Sequence, residues 1–129
     1  MQEIETAPQP QGTLALQIIA MPKDTNGDGD IFGGWLVSQM DLAAAITAKN
    51  LAHGRVATVA IGDLAFMQPV YVGATVSCYT EVLEVGRSSM QIAVEVWIPN
   101  RTTLELSKVT DGIFVFVAID DKGRTRTVK

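Results

Sequence analysis

Gly33–Ala52, GGWLVSQMDLAAAITAKNLA, is the stretch whose reading decides the fold. It contains no helix breaker after the glycine pair, and helix formers dominate it: Leu36, Gln39, Met40, Leu42, Ala43, Ala44, Ala45 and Lys49. As one helix it extends about 30 Å. His53-Gly54 supplies the stop expected at a helix C-terminus. The only charges in it are Asp41 and Lys49, so the helix is apolar nearly all round, the pattern of a buried helix. By helical spacing Asp41 shares a face with Gly34, Val37, Ser38, Ala44, Ala45 and Ala48. That face is small apart from Val37, so a sheet or a ligand packs closely on it.

The flanks read as strand. Residues 12–21 form an apolar run that Pro22 ends, and residues 23–32 read as loop. Val56 to Val70 is β-branched and apolar, interrupted near Gly62-Asp63 and ended by Pro69. Thr75 to Val85 follows and Gly86 closes it. From Ser88 to Ile98 the chain alternates strictly, with Met90, Ile92, Val94, Val96 and Ile98 on one face, so one face of that strand is buried. Leu104 to Ile119 carries the run IFVFVAI, apolar on both faces, which suits a central strand or an interface. Short turns at Gly73, Gly86 and Pro99-Asn100 predict antiparallel neighbours. The fold class expected is α+β: one long central helix wrapped by a curved antiparallel sheet of about five strands. A sheet curled round one helix leaves open ends that invite a second copy.

Composition narrows the function classes. The chain has 129 residues, 47% of them hydrophobic, enough for one domain with a real core. Residues 1–11 are polar and contain proline, and read as a flexible tail ahead of a single domain over 12–129. The tail lacks the basic and apolar regions of a signal peptide. No apolar run approaches the ~18 residues of a membrane span. Net charge is −4 with no basic stripe, which argues against a nucleic-acid partner. Cys78 is the only cysteine, so an internal disulfide and a multi-cysteine metal site are excluded; a cytoplasmic setting is expected. Its place in an alternating apolar run favours core packing over a reactive thiol.

The residues before and inside the helix carry the chemistry. Asn26–Asp41, NGDGDIFGGWLVSQMD, sets polar turn residues and the Gly33-Gly34 pair ahead of a carboxylate among apolar neighbours. Glycines let a ligand approach the backbone, and unpaired N–H groups at a helix start attract developing negative charge. Asp41 can therefore act as a general base on water or as a nucleophile, with Gly33 and Gly34 polarising a carbonyl. The plainer reading of Asp41, a surface carboxylate paired with a lysine, finds only Lys49 in the helix, eight positions away. DTNGDG at Asp24–Gly29 resembles the opening of an EF-hand calcium loop, but Trp35 stands where the bidentate Glu belongs. Its plainer role is a turn whose Asp, Asn and Gly residues suit left-handed geometry and cap the helix. His53, the only histidine, sits at the helix C-terminus, where a capping role is the default. Arg87, Ser88 and Ser89 combine a guanidinium with two hydroxyls after Gly86, a set that suits a phosphate, though a polar hairpin turn has the same spacing. Arg55 and Lys108 are further basic candidates.

Three segments carry a family resemblance: DTNGDGDIFGGWLVSQMDLAAAITAKNLAHGRVATVA, VGRSSMQIAVEVW and TDGIFVFVAID. Together they resemble the YciA-type acyl-CoA thioesterases, hotdog-fold hydrolases, over nearly the whole chain. The resemblance implies a double-hotdog homodimer with its active site at the dimer interface, assembled as a trimer of dimers in a homohexamer. It puts Asp41 in the place of the catalytic carboxylate and Asn26 in that of a loop Asn from the facing subunit. Gly33 and Gly34 become donors to the thioester carbonyl, in one pocket with Asp41. Arg87, Ser88 and Ser89 would lie along the coenzyme A path, with Arg55 and Lys108 toward its phosphates. The implied activity is hydrolysis of acyl-CoA without a cofactor or metal; the competing class is a non-catalytic acyl-CoA sensor or carrier. One departure stands out: in AIGDLAFMQPV the acid expected at position 62 is at Asp63.

Overall fold

The computed structural model describes residues 8–129; residues 1–7, most of the expected tail, lie outside it. The elements are β1 (Thr13–Ile19), a single 3-10 turn at Pro22–Asp24, α1 (Gly33–Ala52), β2 (Val56–Phe66), β3 (Thr75–Val85), β4 (Ser89–Pro99) and β5 (Leu106–Ala118). Strands pair antiparallel in the order β1-β3-β4-β5-β2. The α+β class and the long helix beside one sheet are as the sequence predicts.

One connection differs. The turn at Gly73 does not make β2 and β3 hairpin partners, because β2 pairs with β5 and β3 with β1. The chain crosses the end of the molecule between them. Gly73 N and Ala74 O instead bond Ala20, at 2.8 and 2.9 Å, fastening the crossing to the end of β1. IFVFVAI is apolar on both faces because β5 runs between two neighbours, β4 and β2.

The core lies between one side of α1 and the inner face of the sheet. Leu36, Met40, Ala43, Ala44 and Ala48 meet Met90, Ile92, Val94 and Val96 of β4 and Phe114 and Phe116 of β5, all buried. Burying a side chain the size of Met40 or Phe114 is worth about 2–3 kcal/mol. Three alanines let the helix approach the strands; a larger residue there costs about 1–3 kcal/mol in displaced neighbours. The other side of α1 is uncovered, with Leu42 53% and Ile46 43% exposed. Within one chain the sheet therefore uses only half of the helix's apolar surface. Among the described residues no helix is long and apolar enough to cross a membrane.

The helix C-terminus is closed by a residue that spacing did not reveal. His53 takes the left-handed conformation itself (φ 54°, ψ 43°), and its side chain is exposed. His53 is thus the C-cap through its backbone, and the carbonyl of Ala52 is taken by Arg126, whose Nη2 donates to it at 3.0 Å while Nε and Nη1 donate to Ile119 O and Thr127 O. Gly54 makes room for that guanidinium: a Cβ there would stand 2.8 Å from Arg126 Nη2.

Candidate active site

Two features of α1 build the site. The first is its uncapped start. Phe32 is the N-cap and offers no side-chain bond, and the first intrahelical donor is Leu36, to Phe32 O at 3.2 Å. The N–H groups of Gly33, Gly34 and Trp35 consequently have no acceptor among the described residues. The loop residues expected to cap the helix do something else. Thr25 bridges Ile31, and Asn26 closes the loop on itself: its Oδ1 accepts from the N–H of Asp28 at 2.8 Å and of Asp30 at 3.1 Å. Its Nδ2 donates to nothing among the described residues. Ile31 N reaches Val70 O, and Phe32 N reaches Asp24 O, pinning the loop beside the helix start.

The calcium-like positions do not converge. Asp24 Oδ2 accepts from Met21 N at 3.0 Å, and the Asn26 oxygen is taken as above. Among the described residues no three His, Cys, Asp or Glu side chains come together as metal ligands.

The second feature is Asp41, half-buried where α1 faces β2. Its Oδ1 accepts a 2.7 Å hydrogen bond from the Thr58 hydroxyl, the bond that fixes its rotamer. Register puts Thr58 opposite the buried Phe116, on the face of β2 turned to the helix. Sequence reading passed over Thr58; the available signal was a hydroxyl within the apolar run Val56–Ile61. The interruption at Gly62-Asp63 is a β-bulge, with Asp63 left-handed at φ 54° and exposed.

The basic candidates divide between the ends of the sheet. Arg55 follows α1 and donates from Nη1 to Asp120 O at 3.0 Å. Arg87, Ser88 and Ser89 open β4 nearby, where Gly86 N bonds Ser89 O, Ala118 N bonds Ser88 O and Val128 N bonds Arg87 O. The Arg87 side chain is exposed and borders a cleft of about 660 Å³ lined also by Leu51, Val128 and Lys129. Lys108 lies near the other end of β5, about 30 Å along the strand. Its ammonium bonds Asp111 Oδ2 at 2.9 Å, and that bond raises its pKa above the usual lysine value. One chain brings Arg55 and Arg87–Ser89 together and leaves Lys108 apart. Cys78 is buried, and burial pushes its thiol up to about 12.

Residues 28–105 match the thioesterase superfamily. An acyl-CoA thioester hydrolase of Haemophilus influenzae is 51% identical over 93% of this chain and 80% of its own length. The acyl-CoA thioester hydrolase YciA of Escherichia coli K12 is 46% identical over 92% of each. This chain belongs to the YciA-type acyl-CoA thioesterases. The solved structure of HI0827, described as a hexameric broad-specificity acyl-coenzyme A thioesterase, superposes on it with a TM-score of 0.90 at 51% identity, covering 95% of this chain and 84% of that one. For a member of this family, one long helix against an open five-stranded antiparallel sheet is the hotdog fold.

Proposed function

We propose that this chain hydrolyses acyl-CoA thioesters to a free acid and coenzyme A, within one hotdog domain over residues 12–129. The observation that carries the reading is the Asp41 carboxylate, fixed by Thr58 at 2.7 Å yet open on its other side. Asp41 either removes a proton from water as it attacks the thioester carbon or attacks that carbon itself. The carbonyl oxygen gains negative charge and rests on the free N–H groups at the helix start; one such donor is worth about 10²–10³ in rate. The carbon–sulfur bond then breaks. In the first route the departing thiolate takes up the proton that Asp41 removed from water. In the second a water hydrolyses the acyl–Asp41 anhydride, which releases the acid, restores the carboxylate and supplies the thiolate's proton. Asn26 Nδ2 orients water or substrate. No step calls for a cofactor.

Helix geometry argues that these parts come from two copies. Gly33 and Asp41 are separated by about 12 Å of helix rise. The free N–H bonds point off the N-terminus, away from Asp41. A single water between carboxylate and carbonyl does not span that gap, so Gly33, Gly34 and Asn26 of one protomer are paired with Asp41 of the partner subunit. The resemblance put Asp41 and both glycines in one pocket; here the pocket is shared, with the glycines on Asn26's side. The exposed Leu42 and Ile46 and the unpaired edge of β2 supply the surface for a homodimer, and a trimer of such dimers fits the hexameric HI0827. Coenzyme A phosphates are assigned to Arg87, Ser88, Ser89 and Arg55, with Lys108 contributing only where a neighbouring protomer brings it close. A reducing cytoplasm suits the single buried thiol.

A thiol-release assay with acyl-CoAs of graded length tests the reaction; saturable binding without release would make the protein a carrier and overturn it. Co-expression of Asp41→Asn with Asn26→Ala tests the shared site. Random two-fold pairing makes half the dimers mixed, each with one intact site, so about a quarter of full activity is expected. No recovery above the separate variants refutes the two-chain site.

A further inference from the structure

Register and bulges in β2 place one aromatic ring at the helix start. Extra residues fall between Thr58 and Ala60 and between Gly62 and Ala65, and each resets which face the following residues present. After the second bulge Phe66 stands opposite the buried Thr110 and faces α1. Its ring edge lies 3.7–3.8 Å from where a Cβ on Gly33 would sit, so the ring stands beside the first residue of the helix. Phe66 is nevertheless 50% exposed, and Phe32, next to Gly33 in the chain, is 54% exposed. Two large apolar side chains are thus left bare beside the helix start that offers donors to a carbonyl, and nothing among the described residues covers them.

We propose that Phe66, with Phe32, forms the wall that receives the acyl group and sets its preferred length. The inference rests on the hydrolase reading above. A carbonyl oxygen held by these donors sits about 2.9 Å from a backbone nitrogen, and the first acyl carbon follows two bonds later. One arm of the thioester therefore runs against the ring. The pantetheine arm carries two amides that an aromatic surface cannot satisfy, whereas an alkyl or aryl chain loses water there without penalty. The apolar wall takes the acyl arm. A site of this kind discriminates about 10-fold or more for each methylene it fits or rejects.

The test measures kcat/KM for a series from acetyl- to dodecanoyl-CoA with the full-length protein, Phe66→Ala and Phe66→Trp, with assembly followed by size-exclusion chromatography. Phe66→Ala is expected to raise the ratio of long-chain to short-chain kcat/KM by about 10-fold, and Phe66→Trp to lower it. Phe66→Leu replaces the alanine variant if that one does not fold. Rates that fall evenly across the series overturn the proposal. So does an unchanged ratio with altered assembly, which would give Phe66 to a subunit contact. A wild-type protein that releases no thiol defeats the hydrolase reading instead, while a hydrolase whose length profile ignores position 66 defeats this inference alone.

Discussion

Replacing Asp41 by asparagine removes a charge and a basic oxygen and little else. The asparagine Oδ1 can accept the same 2.7 Å bond from Thr58, so the rotamer and the shape of the groove persist. The helix neighbours on that face, Gly34 and Ala45, are too small to be disturbed by an isosteric change. Stability is therefore expected to change by less than about 1 kcal/mol. The chemical loss is far larger. A positioned general base contributes about 10²–10⁴ in rate, which is about 2.7–5.5 kcal/mol of barrier. If Asp41 is instead the nucleophile, the substitution removes the attacking atom, and the loss is at least as great. Because the basic residues assigned to coenzyme A lie at the far end of α1, its affinity should stay within about three-fold, a shift of less than 1 kcal/mol. The variant is assayed by thiol release at saturating acyl-CoA, with coenzyme A titrated calorimetrically and the fold followed by melting. A folded Asp41→Asn protein whose kcat stays within about ten-fold of wild type would refute the assignment, as would a rise in KM with kcat untouched.

Two further predictions follow from parts of the fold away from the chemistry. Arg126→Ala leaves Ala52 O without its donor and should cost about 1–2 kcal/mol in denaturation; Gly54→Ala displaces the same guanidinium, so its cost should shrink in the Arg126→Ala background, and strict additivity of the two would disprove the cap. Because burial raises Cys78 from 9.0 to about 12, the native thiol stays protonated and unreactive at pH 8, and its share of stability is complete below pH 9 and declines as pH climbs toward 12; rapid labelling of the native protein at pH 8 by a thiol reagent would contradict this.

The bounds of α1 were legible because the sequence states them locally: a glycine pair opens the helix, no breaker interrupts it and His53-Gly54 ends it. β3 was equally legible between its turn residues, and the alternation of β4 named its buried face. Local signals failed where pairing is decided by distant partners. Gly73 marks a turn, but whether a turn makes a hairpin depends on which strand edges are free, and β5 had already taken β2. Arg126 caps a carbonyl 74 positions earlier, and nothing in its neighbourhood says so. Thr58 depends on a strand registering against a helix 17 residues before it. Asp41 could be singled out by its unlike neighbours, while the Thr58 hydroxyl, though it stands out in an apolar run, carries no local sign of which residue it holds.

The position of Asp41 on α1 gives the proposed two-chain site its physical reason. On one side of it Ala44 and Ala48 are sealed against the sheet; on the other, Ser38 and Leu42 stand in the open. A carboxylate turned fully inward would face only apolar atoms, at a cost no neighbour offsets. One turned fully outward would meet water rather than substrate. At the seam it takes one hydrogen bond from its own chain through Thr58 and leaves its second oxygen facing whatever closes the groove. The free N–H groups that would hold the carbonyl lie about 12 Å away along the same rigid helix, a separation that local motion cannot close. Only a second helix laid across the first brings a helix start to a carboxylate. In the proposed two-chain site the same contact would cover Leu42 and Ile46, both exposed in one chain, so burying that apolar surface would drive the encounter that completes the site. Stability of the dimer and competence of the active site then rise and fall together, and a dilution series that separates the protomers should extinguish turnover before it unfolds the chain.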